Sequence, residues 1–425
     1  MSAGIFLATL LAFIAIGMPI AFALLVAGVA LMLLLGQFEP QVMVQSAIAG
    51  ADNFVLMAVP FFILAGEFMN AGGLSRRIVD MASAFVGHLR GGLGYVAIFA
   101  AVILASLSGS AVADTAAIAA ILVPMMRAAG YDVGRSCGLM AAGGIIAPVI
   151  PPSIAFLIFG VVANLSITKL FLAGIVPGVV MGAALIVAWW IVSRRDNIEL
   201  APRQSWPRRL RVLAAGFWAL MLPVIIIGGL RFGIFTPTEA AVVAAFYAMF
   251  VGLVIYRELD VASIYRCMLM TARTTAVVLL LAALATVASY MITVADVPDQ
   301  ISGWLEPLAG NPITLVAAMM VVVFLFGMVL DMIPIIMILT PVFMPIVAQA
   351  GIDPIYFGVV FVINCSIGMI TPPVGVVLNV VASIGKISMD SAVRGILPFL
   401  LALVVVLILF VLFPALVMVP AGWWM

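Results

Sequence analysis

The sequence contains very little charge. Only 8% of its 425 residues are charged, whereas soluble domains average about 25%. Hydrophobic residues make up 67% of the chain, and the mean hydropathy is +1.38. Because no water-soluble fold can bury so much apolar surface, this composition excludes a cytosolic enzyme, a nucleic-acid-binding protein and a disordered chain. The net charge of +1 gives no overall electrostatic attraction for a polyanion. The sequence predicts an integral membrane protein surrounded by lipid.

Residues that form disulfides or bind metals are also scarce. The three cysteines, Cys137, Cys267 and Cys365, lie far apart, and their spacing fits neither a disulfide framework nor a metal cluster. A single histidine, His88, excludes a multi-histidine metal site. No glycine-rich loop ending in Lys-Ser or Lys-Thr occurs, so direct use of ATP is not expected.

Basic residues predict the orientation of the chain in the membrane. The strongest cluster lies in the central linker 194–211 and consists of Arg194, Arg195, Arg203, Arg208, Arg209 and Arg211. The positive-inside rule places this linker in the cytoplasm. When the orientation is propagated from there, with each hairpin described below returning to its own side, every basic residue except Lys169 and Arg231 is cytoplasmic.

The linker divides the chain into two halves that repeat one another. Prolines and glycines, which fix backbone shape, recur 221 residues apart with no gap from about 106 to 177. The matched pairs include Pro124 and Pro345, Gly130 and Gly351, Pro151-Pro152 and Pro372-Pro373, and Pro177 and Pro398. We therefore predict a first repeat over residues 1–210 and a second repeat over residues 211–425.

Each repeat contains an apolar stretch that is interrupted in its middle, which predicts a re-entrant helical hairpin. The first hairpin covers about 92–129 and the second about 313–349. The orientation places the first on the cytoplasmic side and the second on the outer side, so the repeats are inverted. Inverted repeats with interrupted helices are typical of secondary transporters, because two copies of one unit facing opposite ways give two near-equivalent states. An ancient duplication without a mechanism is the alternative.

The hairpin centres combine small residues with an acid. The first centre, Ser106 to Thr115, includes Asp114, and the second, Gly327 to Pro334, includes Asp331 at the position that matches Ser110. Ionisable groups at membrane depth are costly and usually functional. A packing patch of small residues is the simpler interpretation of the first motif. Capping of the second arm explains Asp114 as well as contact with a ligand does.

Each repeat also contains an apolar run that two adjacent prolines interrupt, which predicts a broken helix. The runs cover about 135–163 and about 355–385. Prolines remove amide donors and leave carbonyl oxygens without partners, and such backbone is tolerated at membrane depth only against protein or a water-filled cavity. We therefore expect the free carbonyls to offer a potential hard-oxygen site suited to a cation. A simple proline kink is the alternative for either motif taken alone.

Several motifs together resemble a known family. They are Gly66-Glu67, Asn70 to Leu74, Ser106 to Thr115, Ile146 to Ser153, Phe235 to Ala240, and Ile370 to Gly375. They resemble the large membrane subunit of tripartite ATP-independent periplasmic (TRAP) transporters, the DctM family, and the resemblance covers essentially the whole chain.

The resemblance implies an all-α polytopic membrane protein of the elevator type and no enzymatic activity. A mobile domain made from both hairpins and both broken helices would move against a scaffold. Sodium-coupled import of a small organic acid, such as a C4-dicarboxylate or a sugar acid, across the bacterial inner membrane is implied. The implied partners are a DctP-like periplasmic binding protein that delivers the substrate and a separate, small four-helix DctQ-like membrane subunit.

The resemblance also implies two sodium sites, each formed by a hairpin residue and the backbone of a broken helix. The first involves Ser106, Ala147, Ile150 and Ser153. The second involves Gly327, Gly368, Thr371 and Val374, which the same 221-residue offset relates to the first set. The substrate is implied to lie between the hairpin tips, near Ser108, Gly109, Ser110, Asp331 and Asn364.

Two other functions stay open at the level of the sequence. One is a stand-alone, ion-coupled anion transporter of a related elevator fold that needs no binding protein. The other is an intramembrane aspartyl hydrolase that uses Asp114 and Asp331, whose carboxylates would share a proton if they lay close together. No protease motif surrounds either acid.

Overall fold

The structure, a computed structural model, describes residues 2–194, 202–305 and 310–423, and within these ranges it contains helices and loops but no β-strand. Arg195 and the rest of segment 195–201 of the predicted cytoplasmic linker lie outside the described residues.

The first half of the chain contains ten α-helices within the described residues. They are α1 (Ser2–Ala15), α2 (Ile20–Leu34), α3 (Pro40–Ala51), α4 (Ala58–Ala71), α5 (Leu74–Val86), α6 (Gly92–Ser108), α7 (Ala111–Ala128), α8 (Val133–Gly144), α9 (Ile154–Val162) and α10 (Ile167–Ser193). A short 3-10 turn, Phe54–Met57, precedes α4.

The second half also contains ten α-helices in the part of the chain that is described. They are α11 (Trp206–Arg231), α12 (Pro237–Phe250), α13 (Val261–Val294), α14 (Val297–Leu305), α15 (Pro312–Gly327), α16 (Met332–Gln349), α17 (Pro354–Gly368), α18 (Val376–Gly385), α19 (Met389–Leu412) and α20 (Ala415–Gly422). A π-helical turn, Val251–Ile255, extends α12.

Eight helical segments among the described residues are long and apolar enough to cross a membrane. They are Phe54–Ala71, Ala111–Ala128, Ile167–Ser193, Trp206–Arg231, Pro237–Ile255, Val261–Val294, Met332–Gln349 and Met389–Leu412. A spanning helix needs about 20 apolar residues. The prediction of an all-helical, polytopic membrane protein is therefore confirmed.

Both hairpins and both broken helices are present. Helices α6 and α7 are joined only by Gly109-Ser110, and Gly109 has a φ of +65° that favours glycine. Residues 328–331 join α15 to α16. The helix that begins with α8 stops at Gly144 and resumes as α9 at Ile154, while α17 stops at Gly368 and resumes as α18 at Val376. The proline pairs lie in these two interruptions, where the sequence predicts them.

Helices of each repeat pack against helices of the other repeat. Helix α7 of the first repeat packs against α18 of the second, and the corresponding helices α16 and α9 also pack together. The pairs α8 with α19 and α17 with α10 repeat this arrangement. Arg127 on α7 donates a hydrogen bond to the Gly385 carbonyl at the end of α18, where a cation complements the helix dipole. Each hairpin is therefore held by the other repeat's broken helix.

Helices α1–α5 and α11–α14 form a second group, the outer helix group, beside the exchanged core of hairpins and broken helices. Helix α4 packs against α12, and the corresponding pair is α13 with α2. In the first repeat, residues 52–57 separate α3 from α4, whereas α13 is continuous over the matching positions. Asn53 caps the short 3-10 turn within this gap, because its Oδ1 accepts a hydrogen bond from the Val55 amide at 2.9 Å. Helices α4 and α13 also contact the hairpins at α6 and α16, so this group borders the space between the hairpins.

The contact between α8 and α19 depends on glycine. A Cβ atom on Gly138 would lie 2.6 Å from the backbone carbonyl of Gly395, and one on Gly395 would collide with the backbone of Gly134. Small residues at helix crossings in membranes allow backbones to approach this closely. The join between the two repeats therefore tolerates no side chain at these positions.

We expect Gly138→Ala to lower the melting temperature of the purified protein, because the added methyl group must push α8 away from α19. Overpacking of this kind costs about 1–3 kcal/mol. The matched control is Gly228→Ala in α11, where an added Cβ meets nothing within 4 Å. This control should leave the melting temperature unchanged or slightly raised. Equal melting temperatures for both variants would contradict the proposed packing constraint.

Candidate functional site

A cavity of about 370 Å³ lies between the two hairpin tips. Residues 108–113 of the first hairpin and 331–333 of the second form part of its lining. Helix α4 contributes Gly66 and Glu67, and helix α13 contributes Thr274 and Val278. The volume falls within the range of roughly 300–1,000 Å³ that small-molecule sites occupy. The hairpin tips and the outer helix group therefore enclose a space suited to a small solute.

The first hairpin tip is held by a network around Ser108. The Ser108 Oγ donates to the Asp114 Oδ1 at 2.5 Å and accepts the Ser110 amide at 3.2 Å. Ser110 is the N-cap of α7, because its Oγ accepts the Ala113 amide at 3.4 Å. Asp114 is buried one turn further along and does not cap the helix. The sequence left open whether Asp114 caps the helix or contacts a ligand. In the structure it does neither, because Ser110 is the cap and Asp114 does not line the cavity. Asp114 instead accepts the hydrogen bond that holds Ser108 in place.

The second hairpin tip is capped by an acid in place of a serine. The Asp331 Oδ1 accepts the Met332 amide at 2.8 Å, and Asp331 is the N-cap of α16. Pro334 follows within the first turn, where a missing amide proton costs little. Asp331 also lines the cavity. Helices α7 and α16 thus both begin at the cavity.

Four of the five residues expected near the substrate line this cavity. They are Ser108, Gly109, Ser110 and Asp331. The structure does not bring Asn364 there: its Nδ2 donates to the Met320 carbonyl at 2.6 Å, and it borders a different, largely apolar cavity between α15 and α19. An asparagine amide within an apolar helix signals a functional residue in the sequence, but here it satisfies the backbone of the neighbouring helix.

The first expected sodium site lies where the hairpin tip meets a broken helix. A Cβ atom on Gly109 would collide with the Pro152 carbonyl, so the tip rests directly on the break. The Ser153 Oγ donates to the Pro148 carbonyl and accepts the Phe156 amide at 3.1 Å. Within the described residues, the Ala147 and Ile150 carbonyls accept no hydrogen bond. These buried oxygens are the hard ligands that an alkali cation prefers.

Ser106 lies on α6, which packs against α8. Its Oγ donates to the Ile103 carbonyl at 2.6 Å and keeps its lone pairs. Nearer the start of α6, a Cβ on Gly143 of α8 would lie 3.0 Å from the Ala101 side chain. Ser106 therefore lies between two places where the first hairpin touches the broken helix, namely this one and the contact of the tip with Pro152.

The structure brings together the residues of the second expected sodium site. A Cβ atom on Gly368 would lie 2.6 Å from the Gly327 Cα, so the two backbones touch. The Val374 amide donates to the Met328 carbonyl at 3.2 Å, and the Thr371 amide donates to the Gly368 carbonyl at 2.9 Å. In the part of the chain that is described, the Gly327 and Thr371 carbonyls accept no hydrogen bond. The donor set again consists of backbone and hydroxyl oxygens, which fits a sodium ion.

The cavity also contains residues that sequence reasoning did not assign to a site. Glu67 lies within the candidate membrane-spanning segment Phe54–Ala71, and the structure places it in the cavity lining. Thr274 and Val278 belong to α13, a continuous helix that lacks the paired prolines and the central interruption by which the sequence indicates the other site residues. An unpartnered acid at membrane depth is the one signal that could have identified Glu67.

Comparison with known proteins identifies the family. Residues 7–416 match the family model described as tripartite ATP-independent periplasmic transporter, DctM component. The chain is similar to the 2,3-diketo-L-gulonate TRAP transporter large permease protein YiaN of Escherichia coli (strain K12), with 56% identity over 419 residues that cover 99% of both chains. It is 37% identical over 373 residues to the C4-dicarboxylate TRAP transporter large permease protein DctM of Pseudomonas aeruginosa, which covers 88% of this chain and 87% of that protein.

The fold is similar to a solved transporter structure, that of YdaH from Alcanivorax borkumensis. The TM-score is 0.64 and the sequence identity is 16%, over 90% of this chain and 88% of that one. At this identity the likeness shows the fold alone. The family model, in contrast, covers nearly the whole chain. The chain therefore belongs to the DctM family and is a large permease component of a tripartite ATP-independent periplasmic transporter, a multi-pass protein of the bacterial inner membrane and not an enzyme.

Proposed function

We propose that this permease imports a small organic acid, a C4-dicarboxylate or a sugar acid, by sodium-coupled symport with an elevator mechanism. The observation that carries the proposal is the paired contact between hairpin and broken helix. In the first repeat Gly109 rests on Pro152, and in the second Gly327 rests on Gly368. Each contact lies beside carbonyl oxygens that accept no hydrogen bond from the described residues. Substrate and coupling-ion sites formed by discontinuous helices at the interface between repeats are typical of secondary transporters.

In this proposal, sodium and substrate depend on each other through the hairpin tips. A sodium ion bound to Ser106, Ala147, Ile150 and Ser153, or to Gly327, Gly368, Thr371 and Val374, links a hairpin to its broken helix. The same hairpins form the cavity, so the ions hold the tips in the arrangement that binds the acid. By linkage, a bound ion that favours this arrangement raises the affinity for the acid, and the acid raises the affinity for the ion.

The elevator movement would take place between the exchanged core and the outer helix group. The core comprises both hairpins and both broken helices, and α4 and α13 are the outer helices that border the cavity. At this border a Cβ atom on Gly66 would lie 3.0 Å from the Ser108 side chain. Because Gly66 has no side chain and Ser108 has a small one, the two helices meet on a smooth surface along which the first hairpin tip can slide.

The functional units then differ from the sequence repeats. Residues 1–210 and 211–425 remain our proposed repeats, but each contributes helices to both the core and the outer group. The predicted inversion of the repeats supplies the two orientations that alternating access needs. We propose that the linker between them lies in the cytoplasm, as the positive-inside rule predicts.

Membership of a tripartite family implies partners. We propose a small, separate DctQ-like membrane subunit and a DctP-like periplasmic binding protein that delivers the acid. The outer group exposes large apolar side chains, for example Phe217 and Val224 on α11, which are suited to contact with lipid or with a membrane subunit. The alternative is transport by a stand-alone permease of the same fold, and the family membership does not favour it.

We expect uptake of the acid into proteoliposomes to require an inward sodium gradient. The liposomes would contain this chain and the small membrane subunit, with the periplasmic binding protein added outside. Replacement of sodium by potassium at equal ionic strength is the control, because it keeps screening constant while removing the ion that fits the sites. Uptake that ignores the sodium gradient would contradict the coupling, and full uptake without the binding protein would favour the stand-alone alternative.

We expect Gly368→Ala to raise the sodium concentration for half-maximal uptake by about tenfold or more. The added methyl group separates Gly368 from Gly327, and a ligand displaced by about 0.5 Å no longer holds a productive geometry. The matched change in the other repeat is Ala147→Gly, which adds no atom and should alter sodium dependence much less. Similar sodium dependence for both variants would contradict the second site.

A further inference from the structure

Charge is distributed unevenly in the cavity between the hairpin tips. Two of its lining side chains, Glu67 and Asp331, are carboxylic acids, and no lysine, arginine or histidine lines it among the described residues. Glu67 forms no ion pair or hydrogen bond within the described part of the chain. One oxygen of Asp331 caps α16, which leaves the other available. The cavity therefore offers strong hydrogen-bond acceptors but no side-chain cation.

The groups that favour an anion are backbone amides. Helices α7 and α16 both begin at the cavity, and first-turn amides have no partner within their own helix. The caps occupy the amides of Ala113 and Met332. The amides of Ala111, Val112 and Ile333 donate to no capping group among the described residues, and all three residues line the cavity. These amides, at the positive ends of two helix dipoles, suit one carboxylate.

We propose that the cavity selects a polyhydroxylated monocarboxylate, a sugar acid, against a dicarboxylate. The substrate carboxylate binds the free amides of α7 and α16, and its hydroxyl groups donate to Glu67 and Asp331. The hydroxyls of Ser108, Ser110 and Thr274 serve the remaining polar groups of the ligand. This inference rests on the proposed function, since it takes the cavity to be the place where the transported acid binds.

The charge balance gives the physical reason for this selectivity. Two co-transported sodium ions would offset the two lining carboxylates, which leaves the helix dipoles to favour a single substrate charge. A second substrate carboxylate in a cavity of about 370 Å³ must lie near Glu67 or Asp331 without a cation between them. A hydroxyl group at the same place donates a charge-assisted hydrogen bond instead.

The test compares two ligands that differ at one carbon. D-gluconate and D-glucarate share their chain length and their inner hydroxyl groups, but glucarate has a second carboxylate in place of the terminal hydroxyl. Binding of each to the purified permease complex with the small subunit, in sodium, is measured by calorimetry. We expect gluconate to bind at least about tenfold more tightly, because like charges a few Å apart in a partly buried site repel strongly.

Removing the negative charge of one lining carboxylate should reduce the preference for gluconate over glucarate. Glu67→Gln keeps a hydrogen-bonding side chain but removes the negative charge, so glucarate binding should strengthen relative to gluconate. The matched control is Glu39→Gln, an exposed residue before α3, which should leave the ratio unchanged. If Glu67→Gln fails to fold, Asp331→Asn serves the same purpose, because asparagine is as good an N-cap as aspartate.

The result that overturns the inference differs from the one that overturns the proposed function. Equal affinities for the two acids, a ratio that Glu67→Gln does not change, or binding of neither acid to the folded complex would each refute the selectivity. Sodium-driven uptake with no preference between the acids would refute it while leaving sodium-coupled transport intact. A preference for gluconate without sodium coupling would support the selectivity and refute the coupling.

Discussion

The structure depends on how backbone that is not helical finds partners at the depth of the membrane. Each broken helix leaves carbonyl oxygens free around its proline pair, and lipid offers nothing to satisfy them. In both repeats a hairpin end lies against the break, so the non-helical backbone meets protein there in place of lipid. The fold is arranged to shield two interruptions that would be costly in lipid.

The exchange of partners between the repeats follows from this constraint. Each hairpin packs against the broken helix of the other repeat, through α7 with α18 and α16 with α9. Glycines such as Gly138 and Gly395 bring the backbones together where side chains would keep them apart. The exchanged core is consequently one packed body, although its helices come from distant parts of the chain.

The repeats share one backbone plan but differ in chemistry. Ser110 and Asp331 occupy matched positions and both cap the helix that follows, yet only Asp331 brings an ionisable group to the cavity. Ser106 and Ala147 stand where the second repeat has Gly327 and Gly368, whose backbones touch. A side chain at Gly368 would collide with the backbone of Gly327, so the second repeat has no room for the residue that the first repeat carries at Ala147.

Much of this protein could be predicted from the sequence, because the relevant signals are local. Apolar length predicts spans, paired prolines predict breaks, and an offset of 221 residues relates the repeats. The cavity residues contributed by the hairpin tips follow from the same motifs. Asn364 and Glu67 show the limit: both are polar groups within apolar helices, and the sequence does not say which of them lines the cavity between the hairpin tips. Packing decided that, because Asn364 meets the Met320 carbonyl of a neighbouring helix while Glu67 meets an open space between helices, and such contacts arise only when distant segments come together.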